Sequence, residues 1–187
     1  MTTTAATATA TTPTPEVGRG RTLPTSQTAH VFATVLTGLS AGFFFAYESS
    51  VTRGLAEVDD LTYVQTFQAI NATIKNPMFG TVFFGSLPAL VLTGLLDRGT
   101  IRSPKRLLLT IAPALYLVGM GITFTGNVEL NDELAEVEAS TAAIAAEARA
   151  DFEDDWNRLD GYRSIAFLGA FAAAAAALPL ADRTGRK

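Results

Sequence analysis

Four stretches of this chain carry no Asp, Glu, Lys or Arg: Val31–Tyr47, Pro77–Leu96, Leu107–Val128 and Ser164–Ala181. A bilayer's hydrocarbon core, about 30 Å thick, takes roughly 20 helical residues to cross at 1.5 Å each. These stretches have the length to do so. A soluble helix keeps a polar face, so four such stretches in one small domain point to lipid. None alternates apolar and polar residues with period two, and a spanning barrel needs about eight strands or more. Helices, which satisfy their own backbone hydrogen bonds, are the economical solution. The expected fold is all-α: a four-helix transmembrane bundle with extracytoplasmic amphipathic helical connections.

Charge is scarce overall, at 17% of residues against roughly 25% in soluble domains. What there is sits asymmetrically. The segment between the second and third stretches holds Arg98, Arg102, Lys105 and Arg106 against Asp97, and the C-terminus adds Arg183, Arg186 and Lys187. Asn127–Asp160 is acidic, with only Arg149 and Arg158 as cations. Basic loops stay in the cytoplasm. The charges therefore predict a multi-pass protein of the cell membrane with both termini cytoplasmic and the acidic segment outside. The net charge of −4 gives no footing for nucleic acid. Without cysteine there is neither a disulfide nor a thiolate metal site, and a lone histidine, His30, excludes a multi-imidazole centre.

Three parts are expected: a Thr/Ala-rich disordered tail over 1–27, a membrane domain over 28–182, and a basic cytoplasmic tail over 183–187. The first span, Ala29–Ser49, carries Thr34, Gly38, Gly42 and Ala46 at four-residue spacing, a face on which another helix packs closely. Small-residue faces of this kind also permit a homo-oligomer. Leu61, Val64, Phe67 and Ile70 recur at helical spacing, predicting an amphipathic helix at the interface. The alanine-rich acidic segment predicts an exposed helix leading into the fourth span.

This topology delivers polar side chains from four distant segments to one level, the outer mouth. Glu48 closes the first span, Asn71 precedes the second, Asn127, Glu129 and Asn131 follow the third, and Trp156, Asp160 and Arg163 precede the fourth. Asn127 and Asn131 share a helix face, as do Trp156, Asp160 and Arg163, where Asp160 pairs with Arg163 at i+3. Helix caps and interfacial anchors explain any one of them; a site explains the set.

The blocks GLSAGFFFAYESSV, QAINATIKNPMFGTVFFGS, GNVELNDEL and DDWNRLDGYRS resemble successive blocks of the anthrone oxygenase-like family of small four-helix membrane proteins. The resemblance runs from about residue 30 to 180. It implies oxidation of an anthrone-type aromatic by molecular oxygen with no recognised cofactor. On that reading Asp160 is the base, Asn127, Asn131 and Arg163 stabilise the oxyanion, and Trp156, Asn71 and Glu48 bind substrate. The partners are then a hydrophobic small molecule and the bilayer. Family members commonly carry Pro at the position of Glu129, a small polar residue at Glu48, Asn at Asp160, Trp at Leu159 and a His-like residue at Gly161. Three positions of the mouth have thus become acidic, and a metal held by Glu48, Glu129 and Asp160 stays open. The alternative is a non-enzymatic membrane protein, an assembly partner or a small channel or carrier, whose acidic mouth binds a cation or basic ligand. No charge inside the spans marks a conduction path; Pro88 and Pro113 offer only freed carbonyls.

Overall fold

The computed structural model describes residues 25–100 and 102–180. Most of the expected 1–27 tail and the whole 183–187 tail lie outside these residues. All regular structure among them is helical: α1 (Thr25–Ala46), α2 (Thr52–Ala56), α3 (Asp60–Ile74), α4 (Pro77–Leu96), α5 (Pro104–Ile122), α6 (Val128–Ala135) and α7 (Ala142–Ala177). A π-helical turn, π1 (Tyr47–Val51), joins α1 to α2, and a second, π2 (Thr123–Asn127), joins α5 to α6. Thr25–Ala56 and Pro104–Ala135 are therefore continuous rods. The first helix starts at Thr25, so three residues assigned to the tail are helical.

Three helical rods are long and apolar enough to cross a membrane: Thr25–Ala56, Pro77–Leu96 and Pro104–Ala135. Their outward surfaces carry Phe32, Val35, Leu39, Phe45, Leu92, Leu95, Leu107 and Leu117, all exposed. That exterior suits lipid, not water. α7 runs 36 residues without a break, about 54 Å at 1.5 Å per residue. Its acidic first half and alanine-rich second half form one helix, and Ile165 and Leu168 are exposed on the second.

Helix ends follow their caps. Asp59 accepts from the Thr62 amide and hydroxyl and starts α3; those bonds hold its carboxyl below the usual range. Asn76 accepts from Met78 and Phe79 ahead of Pro77, and Thr141 caps α7 through the Ile144 amide.

Two cores stack along the bundle. Towards the basic connection, Ala33, Ala41, Leu90, Ala112, Phe167, Ala170 and Ala174 are buried together with Tyr116. Small residues let the axes close in. A Cβ on Gly119 would stand 2.7 Å from the Phe167 ring, and one on Gly38 2.9 Å from Phe171. Thr34 is buried and Gly38 packs on Phe171, whereas a Cβ on Gly42 would meet nothing and Ala46 is exposed, so the expected four-residue stripe only partly faces a neighbour. Towards the acidic end, Tyr63, Val64, Phe67, Leu134, Ala145, Phe152 and Trp156 form the second core. α3 is thus docked on α7 and α6, with Gln68 donating to Leu134 O and Val137 O. Arg149 ties α7 to the α2–α3 corner through Ala56 O, Val58 O, Asp60 and Glu153 while lying over the Tyr63 ring at 4.4 Å. The hydrogen bond with Glu153 raises its already high pKa.

Candidate functional site

The two π turns stand where the cores meet. Each inserts one residue into a helix and so rotates the residues beyond it by about 100°. π1 contains Tyr47 and Glu48; π2 contains Thr123, Phe124 and Asn127. Such turns concentrate at functional sites. Gly126 in π2 permits α7 to approach, for a Cβ there would lie 2.7 Å from Leu159 Cδ1.

Trp156 is the hub. Its indole Nε1 donates to Asn131 Oδ1 at 2.8 Å, and its backbone carbonyl accepts from Asn127 Nδ2 at 3.2 Å. The two asparagines, four residues apart, clamp one tryptophan. Asn127 is fully buried and its Oδ1 has no hydrogen-bond partner. One turn further along α7, Asp160 is also fully buried. Arg163 Nε donates to Asp160 Oδ1 at 2.8 Å, and an Nη completes the pair at 2.6 Å. The guanidinium also lies 4.8 Å from the Phe44 ring centroid and 5.0 Å from that of Trp156. Rings on either side fix its plane, an arrangement worth more away from water. Glu48 is an electrostatic neighbour of Asp160. Asp160 Oδ2 and Glu48 Oε2 are both buried without a donor.

Beside this cluster is a cavity of about 500 Å³. Phe43, Phe44 and Tyr47 of the first rod and Trp156 and Arg163 of α7 form its back wall. Ile70, Asn71 and Ile74 of α3 roof it; Phe79, Gly80, Phe83 and Phe84 of α4 face Thr123, Phe124, Val128 and Asn131 across it. Lys75 and Asp132, paired at 3.8 Å and well exposed, mark its watery rim. The rings interlock: Phe79 stacks on Phe83 at 5.3 Å and Phe44 on Phe167 at 4.5 Å. Such a chamber takes a flat apolar molecule and offers it Arg163 together with the amides Asn71 and Asn131. Asn71 Nδ2 has no hydrogen-bond partner.

The sequence-derived candidates divide accordingly. Trp156, Arg163, Asn71 and Asn131 line the cavity. Asp160 and Asn127 lie in the layer behind, bonded to Arg163 and Trp156 respectively, and Glu48 is an electrostatic neighbour of Asp160. Glu129 is exposed, and among the described residues no three His, Asp or Glu side chains are placed to hold a metal ion. Glu48, Glu129 and Asp160 therefore do not make a three-ligand set. Sequence reasoning missed the ring wall of Phe43, Phe44, Tyr47, Phe79, Phe83, Phe84 and Phe124. The runs FFFAY and VFF were its signal, but in a spanning helix they read as lipid-facing bulk.

No curated protein and no solved structure matches the chain. The family model for anthrone oxygenase matches residues 72–173, more than half the chain, from the end of α3 through α4, α5, π2 and α6 into α7; the chain belongs to the anthrone oxygenase family.

Proposed function

We propose that this protein is a membrane-bound oxygenase-like enzyme that oxidises a hydrophobic, enolisable aromatic of the anthrone type with molecular oxygen. The observation that carries this reading is a cavity walled by aromatic rings whose lining includes the Arg163 guanidinium and the amides Asn71 and Asn131. α7 makes the fourth crossing, both termini face the cytoplasm, and the cavity lies at the outer interface.

The ligand's rings pack among Phe44, Phe79, Phe83 and Trp156, with its carbonyl oxygen toward Arg163. Asp160 is the base, though one layer removed. Arg163 turns from the carboxylate to the ligand's oxygen and so uncovers Asp160 to the cavity, and as the acidic C–H ionises to the enolate Asp160 Oδ2 takes up the proton. One ion pair replaces another, so no net charge is created in the apolar site. The enolate passes one electron to dioxygen. The two radicals join into a carbon-bound peroxide, which takes back the proton and loses water, leaving a second carbonyl. One dioxygen is consumed and one water released per methylene oxidised. The enolate is itself the reductant, so the reading calls on no organic cofactor.

The test uses the purified protein in lipid nanodiscs with anthrone as probe. We expect oxygen uptake matching quinone formation one to one, reduced at least a hundredfold in Arg163→Ala, a loss in the range seen when a stabilising donor is removed. Saturable binding without turnover would overturn the enzyme reading in favour of a carrier or assembly partner. Orientation is tested separately: cysteines placed singly at Ser103 and Ser140 should label from opposite sides, Ser140→Cys in intact cells and Ser103→Cys only after permeabilisation.

A further inference from the structure

We infer that the cavity is loaded from the bilayer, through a portal between α4 and π2 closed by Phe84 and Phe124, and that its ligand is an uncharged, lipid-dissolved aromatic. The inference rests on the cavity being the ligand site proposed above. Helices α4 and α5 are joined by a short connection at their basic end and approach closely there, where a Cβ on Gly94 would stand 3.6 Å from Leu109 O. Their other ends are separated by the cavity itself, with Phe79, Phe83 and Phe84 on one side and Thr123, Phe124 and Val128 on the other. The first rod, α3 and α7 supply the rest of its lining, apart from the polar rim at Lys75, Asn76 and Asp132.

Phe84 and Phe124 line the cavity and are also 53% and 45% exposed. Their rings stack across the gap at 6.1 Å and 21°. Both belong to rods long and apolar enough to cross a membrane, and Phe84 lies about 10 Å along α4 from Pro77. Their exposed faces therefore meet acyl chains. The wall is also soft. Pro88 has no amide proton, so the Phe84 carbonyl lacks its helical partner. Phe124 stands in a π turn, another break in the helical ladder. A stacked ring pair adds little beyond its buried area, so a rotamer change at either ring opens the gap. The watery rim has the opposite character, with the Lys75–Asp132 pair and Asn76 at its edge. A three-ring aromatic partitions into lipid by a factor on the order of a thousand or more at the usual value per unit of apolar area. It arrives at the portal concentrated and already dehydrated.

The chain has one tryptophan and no cysteine, so Trp156 reports on the cavity and introduced thiols are unique. The experiment reconstitutes the full chain in nanodiscs of phosphatidylcholine brominated at a shallow acyl position and reads Trp156 fluorescence. Wild type should be quenched. Phe84→Ala with Phe124→Ala should be quenched at least twofold more. Phe84→Cys with Phe124→Cys, bridged by a short bis-maleimide, should lose at least half of the wild-type quenching. Phe45→Ala, a lipid-facing change on α1 away from the cavity, should match wild type. In unbrominated discs the bridge should slow anthracene uptake, read as energy transfer from Trp156, at least tenfold. Equal quenching and uptake with and without the bridge would overturn the portal. Lipid quenching that responds to the bridge while anthrone is never oxidised would keep the portal and sink the oxygenase reading alone.

Discussion

In its alanine-rich half the bundle is packed with Ala33, Ala112, Ala170 and Ala174 around Phe167 and Tyr116, and at the basic end itself buried Asp97 pairs with Lys105 and Arg106. Ser40 donates to the Tyr116 hydroxyl, which donates in turn to Phe83 O, and His30 donates to Ala174 O. At the acidic end the packing units are Tyr63, Phe67, Phe152 and Trp156, and Arg149 and Arg163 are threaded between rings. The first arrangement brings helix axes together, which suits lipid, where small residues are what allow association. The second keeps axes apart with large side chains, and gaps between large side chains are where a ligand fits. The site lies where one regime gives way to the other. The comparison teaches that substitutions should fail for different reasons in the two cores: by stranded charge or lost rings in the aromatic one, by added bulk between helices in the alanine-rich one.

The sharpest break at the acidic end is Arg163→Ala. It strands the Asp160 carboxylate, fully buried, and should cost about 3–5 kcal/mol, the usual penalty for removing one member of a buried pair. Thermal unfolding in nanodiscs measures it. Asp160→Asn keeps an oxygen for Arg163 to bind and should cost well under half as much, yet lower anthrone turnover. If the two substitutions destabilise equally, the pair is not the support of this region. If Asp160→Asn raises turnover, Asp160 is not the base.

Arg149→Ala sharpens the same contrast outside the spans. It removes bonds to two backbone carbonyls and two carboxylates, together with the Tyr63 stack. A loss of about 2–3 kcal/mol is expected from charge-assisted bonds of this kind. Hydrogen exchange should rise in α3 and the first half of α7 and stay unchanged in α5. Faster exchange throughout would show that the two cores unfold as one.

In the alanine-rich core the matching break is Gly119→Ala, which sets a methyl 2.7 Å from the Phe167 ring. Overpacking of this kind costs about 1–3 kcal/mol. It should leave anthrone binding intact, because Gly119 lies outside the cavity lining. Weaker binding would mean that the α5–α7 spacing at Gly119 sets the width of the chamber.

Much of this contrast could be read from the chain. Three of the four expected spans, the apolar face of Val64 and Phe67, the run of helix from the acidic segment into the second half of α7 and the convergence of Asn71, Asn127, Asn131, Trp156, Asp160 and Arg163 on one end follow from charge and periodicity. What stayed hidden has identifiable causes. A π turn leaves no mark on composition, yet π1 and π2 rotate Glu48 and Asn127 off the faces that a regular helix would give them. Arg149 sits in a run of acids that reads as solvated surface, and only the fold brings Ala56 and Val58 to it. The phenylalanines of α1 and α4 have the same composition whether they face lipid or a cavity. The order of the layers, with Arg163 at the wall and Asp160 behind it, depends on the rotation of α7, which spacing alone leaves undetermined.

The smallest expected effect tests the same contrast with its sign reversed. Gly161 lies on α7 between Asp160 and Arg163, yet a Cβ there would meet nothing within 4 Å. Gly161→Ala therefore adds no clash and removes a residue that loses more backbone freedom on folding than any other. In a helix interior this gains about 0.5–1 kcal/mol. The same substitution is thus costly at Gly119 and favourable at Gly161, because α7 is clasped by α5 in one place and open in the other. Trp156 emission and anthrone turnover should match wild type within error. A loss of stability would show that another surface closes over α7 at this point, and that surface would have to be a second copy of the chain or a partner seated beside the site.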